Sequence, residues 1–354
     1  MKKTLLLFAL AAVIIFSCKK EKIEPVPSSD NAFLTFSIPG QLSSVVNPCA
    51  HTVVITMPFG VKLDTLVAAS FTFSPSAVVK INAIEQTSGV TLNNFVTSIT
   101  YTITAENGTS VQNWIITANY ETYSIIKEDF PLAGETFYMN IDSTNLGGYS
   151  LGVAVKGGIW NFTNLGIDNI DTIDFMDPSS YPGSANFPGS NVVIRNHSDQ
   201  FDMFGTVATD IAEVIGMYGT TTGMLISAPM SNHSTYLKFP SEYGVNFQDD
   251  GILQKDTSII YSGFPVPVSF HVDINTESEI DANGLINTPI GSFKCVREHN
   301  VQIIHTQVLV AGAPYFNQID TIRAYNYFNK EKGYPVLIVE VDAAGNILRI
   351  KHQE

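Results

Sequence analysis

The 354-residue chain is poor in the residues that most often carry chemistry. It holds three cysteines, Cys18, Cys49 and Cys295, and no C-x-x-C pair. Cys49 and Cys295 fall in separate regions, so two buried free thiols are expected rather than a disulfide. No G-x-S-x-G, H-E-x-x-H, Walker-type glycine loop or EF-hand loop occurs, and the seven histidines are scattered. Charged residues make up only 15% of the chain, and 19 Lys and Arg face 33 Asp and Glu, a net charge of −14. Nucleic acid and anionic lipid both need a basic patch, so neither is expected as a partner. Beyond the first residues no apolar run approaches the roughly 18 residues of a membrane-spanning helix. No catalytic residue, metal ligand or cofactor is assigned from these patterns.

The most specific stretch is at the N-terminus. Lys2 and Lys3 precede an apolar run from Leu5 to Ile15, too short to span a bilayer and therefore read as a secretory signal. It ends in Ile15-Phe16-Ser17-Cys18, which resembles a bacterial lipobox. The resemblance implies that Cys18 is lipidated, at about 0.8 kcal/mol of membrane affinity per buried CH₂, and becomes the mature N-terminus. Lys19 stands where an aspartate would imply inner-membrane retention. By the same resemblance, the outer membrane is the expected location, at its periplasmic face or the cell surface. Residues 19–30 (KKEKIEPVPSSD) form a charged, Pro- and Ser-rich tether reaching about 40 Å. Losing Lys2 and Lys3 takes the net charge from −14 to −16.

Phe, Tyr, Val, Ile and Thr dominate the remainder of the chain, a β-protein composition. Residues 31–122 read as short strands parted by turns. Ile99, Tyr101, Ile103 and Ala105 alternate with threonines, and Glu106-Asn107-Gly108-Thr109 supplies a hairpin turn. The spacing predicts a β-sandwich. Asn31-Ala32-Phe33-Leu34-Thr35-Phe36, Gln86-Thr87-Ser88-Gly89-Val90-Thr91 before Asn94-Phe95, and Tyr101 through Gly108 resemble an immunoglobulin-like module of bacterial surface lipoproteins. That resemblance implies a spacer or a glycan-associated domain.

Residues 123–354 read as a larger antiparallel meander. Val268, Phe270, Val272, Ile274 and Ile280 alternate with Ser269, His271, Asp273, Asn275, Glu277 and Glu279, and Asp281-Ala282-Asn283-Gly284 is expected to turn the strand back. Phe293, Cys295, Val301, Ile303 and Leu309 are assigned to the core face of the next strands, with Lys294, Glu298, Asn300 and Gln302 facing water. Thr288 through Phe293 and Lys332 through Leu337 resemble paired turns in C-terminal domains of uncharacterised secreted bacterial proteins. More loosely, the sheet resembles the open half-barrel of periplasmic lipoprotein carriers. The expected fold is all-β: an immunoglobulin-like β-sandwich followed by an open, half-barrel-like β-meander. The domain boundaries are then 1–18 signal, 19–30 tether, 31–122 sandwich and 123–354 meander.

Asp168, Asp171, Asp174 and Asp177 form the densest acidic run, but their spacing alternates faces of a strand, which disfavours a Ca²⁺ loop. Arg297, His299 and His305 interrupt an apolar face and are candidates to line a ligand site. Cys295, His299 and His305 lie too far apart along one strand for a zinc site. Trp160, Tyr325 and Tyr327 join Arg297 and His299 as ligand-binding candidates, since rings with polar tips suit sugar faces. The expected function is a non-enzymatic, membrane-anchored surface lipoprotein that binds a glycan or a protein. The alternatives are a carrier of an apolar ligand, which needs an apolar cavity under residues 268–280, or a hydrolase with two carboxylates meeting in a cleft.

Overall fold

The computed structural model describes residues 25–221 and 224–354. The signal, Cys18 and most of the tether lie outside the described residues. The fold is nearly all-β, with 61% of residues in strands and 4% in helices.

Between Phe33 and Tyr120 a six-stranded sheet takes the order Ser43–Asn47, Thr52–Met57, Val111–Tyr120, Ile99–Thr104, Val78–Ile81 and Ile84–Glu85. Two strand pairs, Phe33–Ser37 with Ser70–Phe73 and Leu66–Ala68 with Leu92–Asn94, complete the module. The alternation in Ile99–Thr104 buries Tyr101 and Ile103 completely, and Gly108, at φ +73°, makes the turn into the Val111–Tyr120 strand. Aromatic rings hold the core. Phe33 meets Phe36, Phe71, Tyr101 and Trp114 edge-on at 5.2–5.7 Å, contacts worth about 0.5–1.5 kcal/mol each beyond their buried area. Trp114 Nε1 donates to the Asn31 carbonyl at 3.1 Å. Cys49, expected to be buried, is exposed instead. Asn47 Oδ1 accepts from the amides of Cys49 and Ala50, and this turn holds the thiol outside the core.

Among the described residues, twelve antiparallel strands between Thr136 and Gln353 close into a barrel. The meander expected to stay open curls until Phe264–Thr288 has a neighbour on both sides, Asn246–Tyr261 and Gly291–Val310. A thirteenth strand, Lys156–Asn161, adds in parallel to residues 283–287. Val268, Phe270, Val272, Ile274 and Ile280 point inward while Asn275, Glu277 and Glu279 stand in solvent. Apolar-in and polar-out is the reverse of a membrane-spanning barrel. No helix among the described residues is long and apolar enough to cross a membrane.

Two expectations need correction. The turn at residues 281–284 does not form; the strand continues to Thr288, and the hairpin closes at Pro289-Ile290. Gly284 is there for close approach, because a Cβ on it would run into the backbone of Gly158 on the thirteenth strand. Asn283 serves the same contact, accepting from Gly157 N and donating its own amide to the Val155 carbonyl, both at 3.2 Å. A β-bulge between Ile280 and Ala282 then swaps the faces of the strand. The second correction concerns Gly291–Val310. Its odd positions, Phe293 through Leu309, are the outside of the barrel, covered near Phe293 and Cys295 by Trp160 and Phe162 and exposed at Ile303. From Val296 onward the even positions are the inside, so Glu298 is buried, whereas Lys294 near the start of the strand is exposed, as expected. Its carboxylate accepts from Ser278 Oγ at 2.6 Å and Asn326 Nδ2 at 2.7 Å. Burial pushes its pKa upward against those hydrogen bonds.

The acidic run is dispersed. Asp168 accepts from Ser143, Asp171 pairs with Lys351 at 3.1 Å, Asp174 pairs with His197 at 2.7 Å, and Asp177 caps Ser179. No group of three or more metal-ligating side chains converges among the described residues.

Candidate functional site

A concavity of about 920 Å³ lies where the sandwich meets the barrel. That volume is at the upper end of the roughly 300–1,000 Å³ of ordinary ligand sites. Its sandwich wall is Lys62, Leu63 and Asp64 with Asn119 and Tyr120 from the end of the Val111–Tyr120 strand. Its barrel wall is residues 154–157 with Ile159 and Tyr243.

The walls are held at several points. Glu121 accepts from Phe59 N at 3.1 Å and from Lys294 Nζ at 2.7 Å, tying both domains through one carboxylate. Phe59 meets Tyr123 edge-on, and the Tyr123 hydroxyl accepts from Lys330 N at 3.0 Å. The Tyr120 hydroxyl donates to the Val61 carbonyl at 2.8 Å. A side chain at Gly157, which has φ +72°, would collide with the Tyr120 ring, so glycine lets the barrel strand start flush against the sandwich.

Inside the cleft, apolar Val96, Val155 and Ile159 alternate with Lys62, Asp64, Asn119 and Lys156. Lys156 Nζ sits 4.9 Å from the centre of the half-exposed Tyr243 ring. No ion pair among the described residues takes up Lys62, Asp64 or Lys156. A floor of hydrocarbon with free donors and acceptors and one aromatic ring can hold a ring that has a C–H face and hydroxyl edges.

The five residues singled out from the sequence do come together, as a stack on the outer barrel wall. Trp160 lies edge-on to Tyr327 at 5.3 Å, Arg297 lies over both Trp160 and Tyr325, and His299 stacks on Tyr325 at 4.6 Å. Trp160, Tyr327 and Arg297 are buried, however. Arg297 makes a two-pronged pair with Asp281, both contacts at 2.8 Å, and also donates to the Leu151 carbonyl. The Tyr325 ring thus contacts both Arg297, 5.0 Å from its centre, and His299. The His299 end borders a recess of about 410 Å³ that includes Gln248, Glu277 and Glu279. His305 is on the same outer face, bonded to Asn317 at 2.6 Å.

A further recess of about 460 Å³ is bordered by Asp199 and Asp202. Asp202 is occupied there, held by the Arg195 guanidinium and the Tyr181 hydroxyl.

The inter-domain cleft was not legible in sequence. Its lining comes from separated segments, none with a motif.

Comparison with known proteins bears on the first wall of this cleft. Residues 33–118 match the family described as "SGBP, N-terminal", the N-terminal domain of surface glycan-binding proteins. No curated protein matches the chain. Among solved structures, one from Bacteroides thetaiotaomicron, provisionally named a glycoside hydrolase, is 11% identical with a TM-score of 0.24, over 93% of this chain and 91% of that one. Another, from Bacteroides fragilis, provisionally named an exported protein with a YmcC-like fold, is 13% identical with a TM-score of 0.24, over 66% of this chain and 98% of that one.

Proposed function

We propose that the protein is a cell-surface, lipid-anchored glycan-binding protein and that the inter-domain cleft receives the glycan. The observation that carries the reading is the match of residues 33–118 to the surface glycan-binding module, together with the cleft that this module forms with the barrel. Tyr243 offers the aromatic surface, Lys62 and Lys156 donate hydrogen bonds, and Asp64 and Asn119 accept them. A chain of net charge −14 favours a neutral polysaccharide over an acidic one. The Cys18 anchor and the tether would hold this cleft near the membrane.

The test is affinity electrophoresis of the exported chain in gels containing neutral or acidic polysaccharides. At least one neutral glycan should retard the protein, and Tyr243→Ala should weaken that retardation about tenfold, the loss expected of an aromatic contact residue. Migration unchanged by every glycan would overturn glycan binding. Retardation that survives both Tyr243→Ala and Asn119→Ala would move the site away from the cleft.

A further inference from the structure

The barrel walls differ in height. Phe264–Thr288 has 25 residues and Gly291–Val310 has 20, whereas Thr136–Asp142, Val192–Asn196 and Ile347–Gln353 have seven, five and seven. The surplus stands above the short strands as a four-stranded ribbon, Asn246–Tyr261 to Ala313–Phe328, whose inner face continues the barrel interior.

At the base of this ribbon lies a cavity of about 330 Å³. Phe270 and Val272 line it from one strand, Ile304 and Val308 from the next, and Phe201 and Met217 from the opposite wall. Phe201 and Phe270 approach to 6.5 Å between ring centres, closing the far side. Thr306 and Tyr315 bring the lining's only hydroxyls, and no charged side chain borders it. Below it the interior turns polar at Thr276, Gln302 and Glu298, which sets a floor. Toward the tip of the ribbon the paired Tyr261 and Phe264 stand 70% and 74% exposed, and Tyr315, which also lines the cavity, 73%. Apolar cavities stay dry and take apolar occupants.

The rim carries a charge of the right sign for an amphiphile. Lys255 is the direct cross-strand partner of Phe270 and so shares its inward face. It is half-buried and belongs to no ion pair among the described residues. Asp320, across the ribbon on the same face, is occupied by the Gln318 amide at 2.7 and 2.9 Å.

We propose that this cavity binds the hydrocarbon chain of a straight-chain carboxylate, its head group at Lys255 and its chain directed down toward Ile304. A methylene group fills somewhat less than the roughly 30 Å³ of a water molecule, so the cavity holds a chain of about a dozen carbons. This is a second site on the barrel, independent of the inter-domain cleft.

The test is fluorescence titration of detergent-free exported chain with 11-(dansylamino)undecanoic acid, followed by displacement with dodecanoate or dodecanol. Saturable one-to-one binding displaced by dodecanoate is expected. Ile304→Trp, which fills the cavity, should weaken it about tenfold or more. Lys255→Met removes the charge and keeps an unbranched side chain; it should weaken dodecanoate about two- to fivefold and leave dodecanol unchanged. Absence of saturable binding overturns the proposal, as does a folded Ile304→Trp that binds like the parent. Equal loss of dodecanoate and dodecanol in Lys255→Met overturns the placement of the head group. A dimer that dodecanoate does not dissociate would mean that a second copy covers the ribbon. Tyr243→Ala should leave this titration untouched while reducing glycan retardation, so the two sites fail separately.

Discussion

The sandwich and the barrel bury their apolar residues by different rules. In the sandwich a strand such as Ile99–Thr104 has one face on the core and one in water, and the alternation of isoleucine or tyrosine with threonine says which is which. In the barrel, Gly291–Val310 is buried on both faces at Cys295–Glu298 and only half-buried along most of its remaining length. Its inner face even carries Glu298, Asn300 and Gln302. A period of two survives in both domains, but only in the sandwich does it identify the inside. A sheet that closes on itself and is also wrapped by an excursion has two insides.

The contrast can be tested most severely at one buried group in each domain. Arg297→Met strands the Asp281 carboxylate in a buried site, which should cost about 3–5 kcal/mol. Trp114→Ala empties the centre of the sandwich at a similar cost of about 3–5 kcal/mol. If residues 31–122 and 123–354 fold as separate units, calorimetry should show each variant lowering one transition and leaving the other in place. A single transition that both variants lower would join the two into one cooperative unit.

A smaller effect is expected at Gly284, whose conformation is ordinary and whose role is space. Gly284→Ala presses a methyl against the Gly158 backbone and should cost about 1–3 kcal/mol by overpacking. Had 281–284 been the turn that the Asp-Ala-Asn-Gly sequence suggests, alanine at the last position would strain a positive φ instead. Far-ultraviolet spectra and melting of Gly284→Ala, beside Asn283→Asp as a turn-compatible control, separate the two: only a packing site tolerates neither change.

That position shows where sequence reading stops. The strand Ile99–Thr104 and the turn at Asn107-Gly108 were legible because each is decided by its own residues. Asn-Gly at 283–284 carries the same local signal, yet the Lys156–Asn161 strand, more than a hundred residues away, claims it. Closure of the barrel and the bulge at Ile280 are likewise long-range events. Arg297 and His299 stood out as polar residues on an apolar face and Trp160 and Tyr325 as rings with polar tips, but that they stack on one another was not legible. Their burial was not foreseeable, since Asp281 and Leu151, which satisfy Arg297, come from elsewhere. The inter-domain cleft left no local trace at all.

Glu298 gives a comparison within the barrel, between its polar belt and its apolar cavity. Its folded-state pKa is raised by burial, so the native state prefers the protonated acid. That preference stabilises the fold fully below the ordinary carboxylate pKa and is lost as pH rises through the folded value. Glu298→Gln keeps a neutral group with one acceptor and one donor arm at the same place. The melting temperature of the variant relative to the parent should therefore climb as pH is raised from 4 toward 8. A difference independent of pH would mean that the hydrogen bonds from Ser278 and Asn326 fully offset the cost of burying the charge.

The smallest effect is expected at the seam between the two domains. Lys294 reaches Glu121 at 2.7 Å, but its side chain is 47% exposed, and such pairs contribute about 0–1 kcal/mol and weaken with salt. Phe59 against Tyr123 and the hydrogen bond from Lys330 to the Tyr123 hydroxyl are more sheltered from solvent and do not depend on ionic strength to first order. Lys294→Ala should therefore leave melting nearly unchanged, and the parent's glycan affinity should survive 0.5 M salt, an ionic strength at which surface charges more than about 3–5 Å apart are largely screened. Tyr123→Ala removes the ring between Phe59 and Lys330 and should loosen the cleft far more than the charge does. If Lys294→Ala proved the more damaging of the two, the geometry of the cleft would rest on Glu121, which reaches the Phe59 amide with one oxygen and the lysine with the other. The cleft would then widen as salt is added, and glycan binding would follow ionic strength rather than packing.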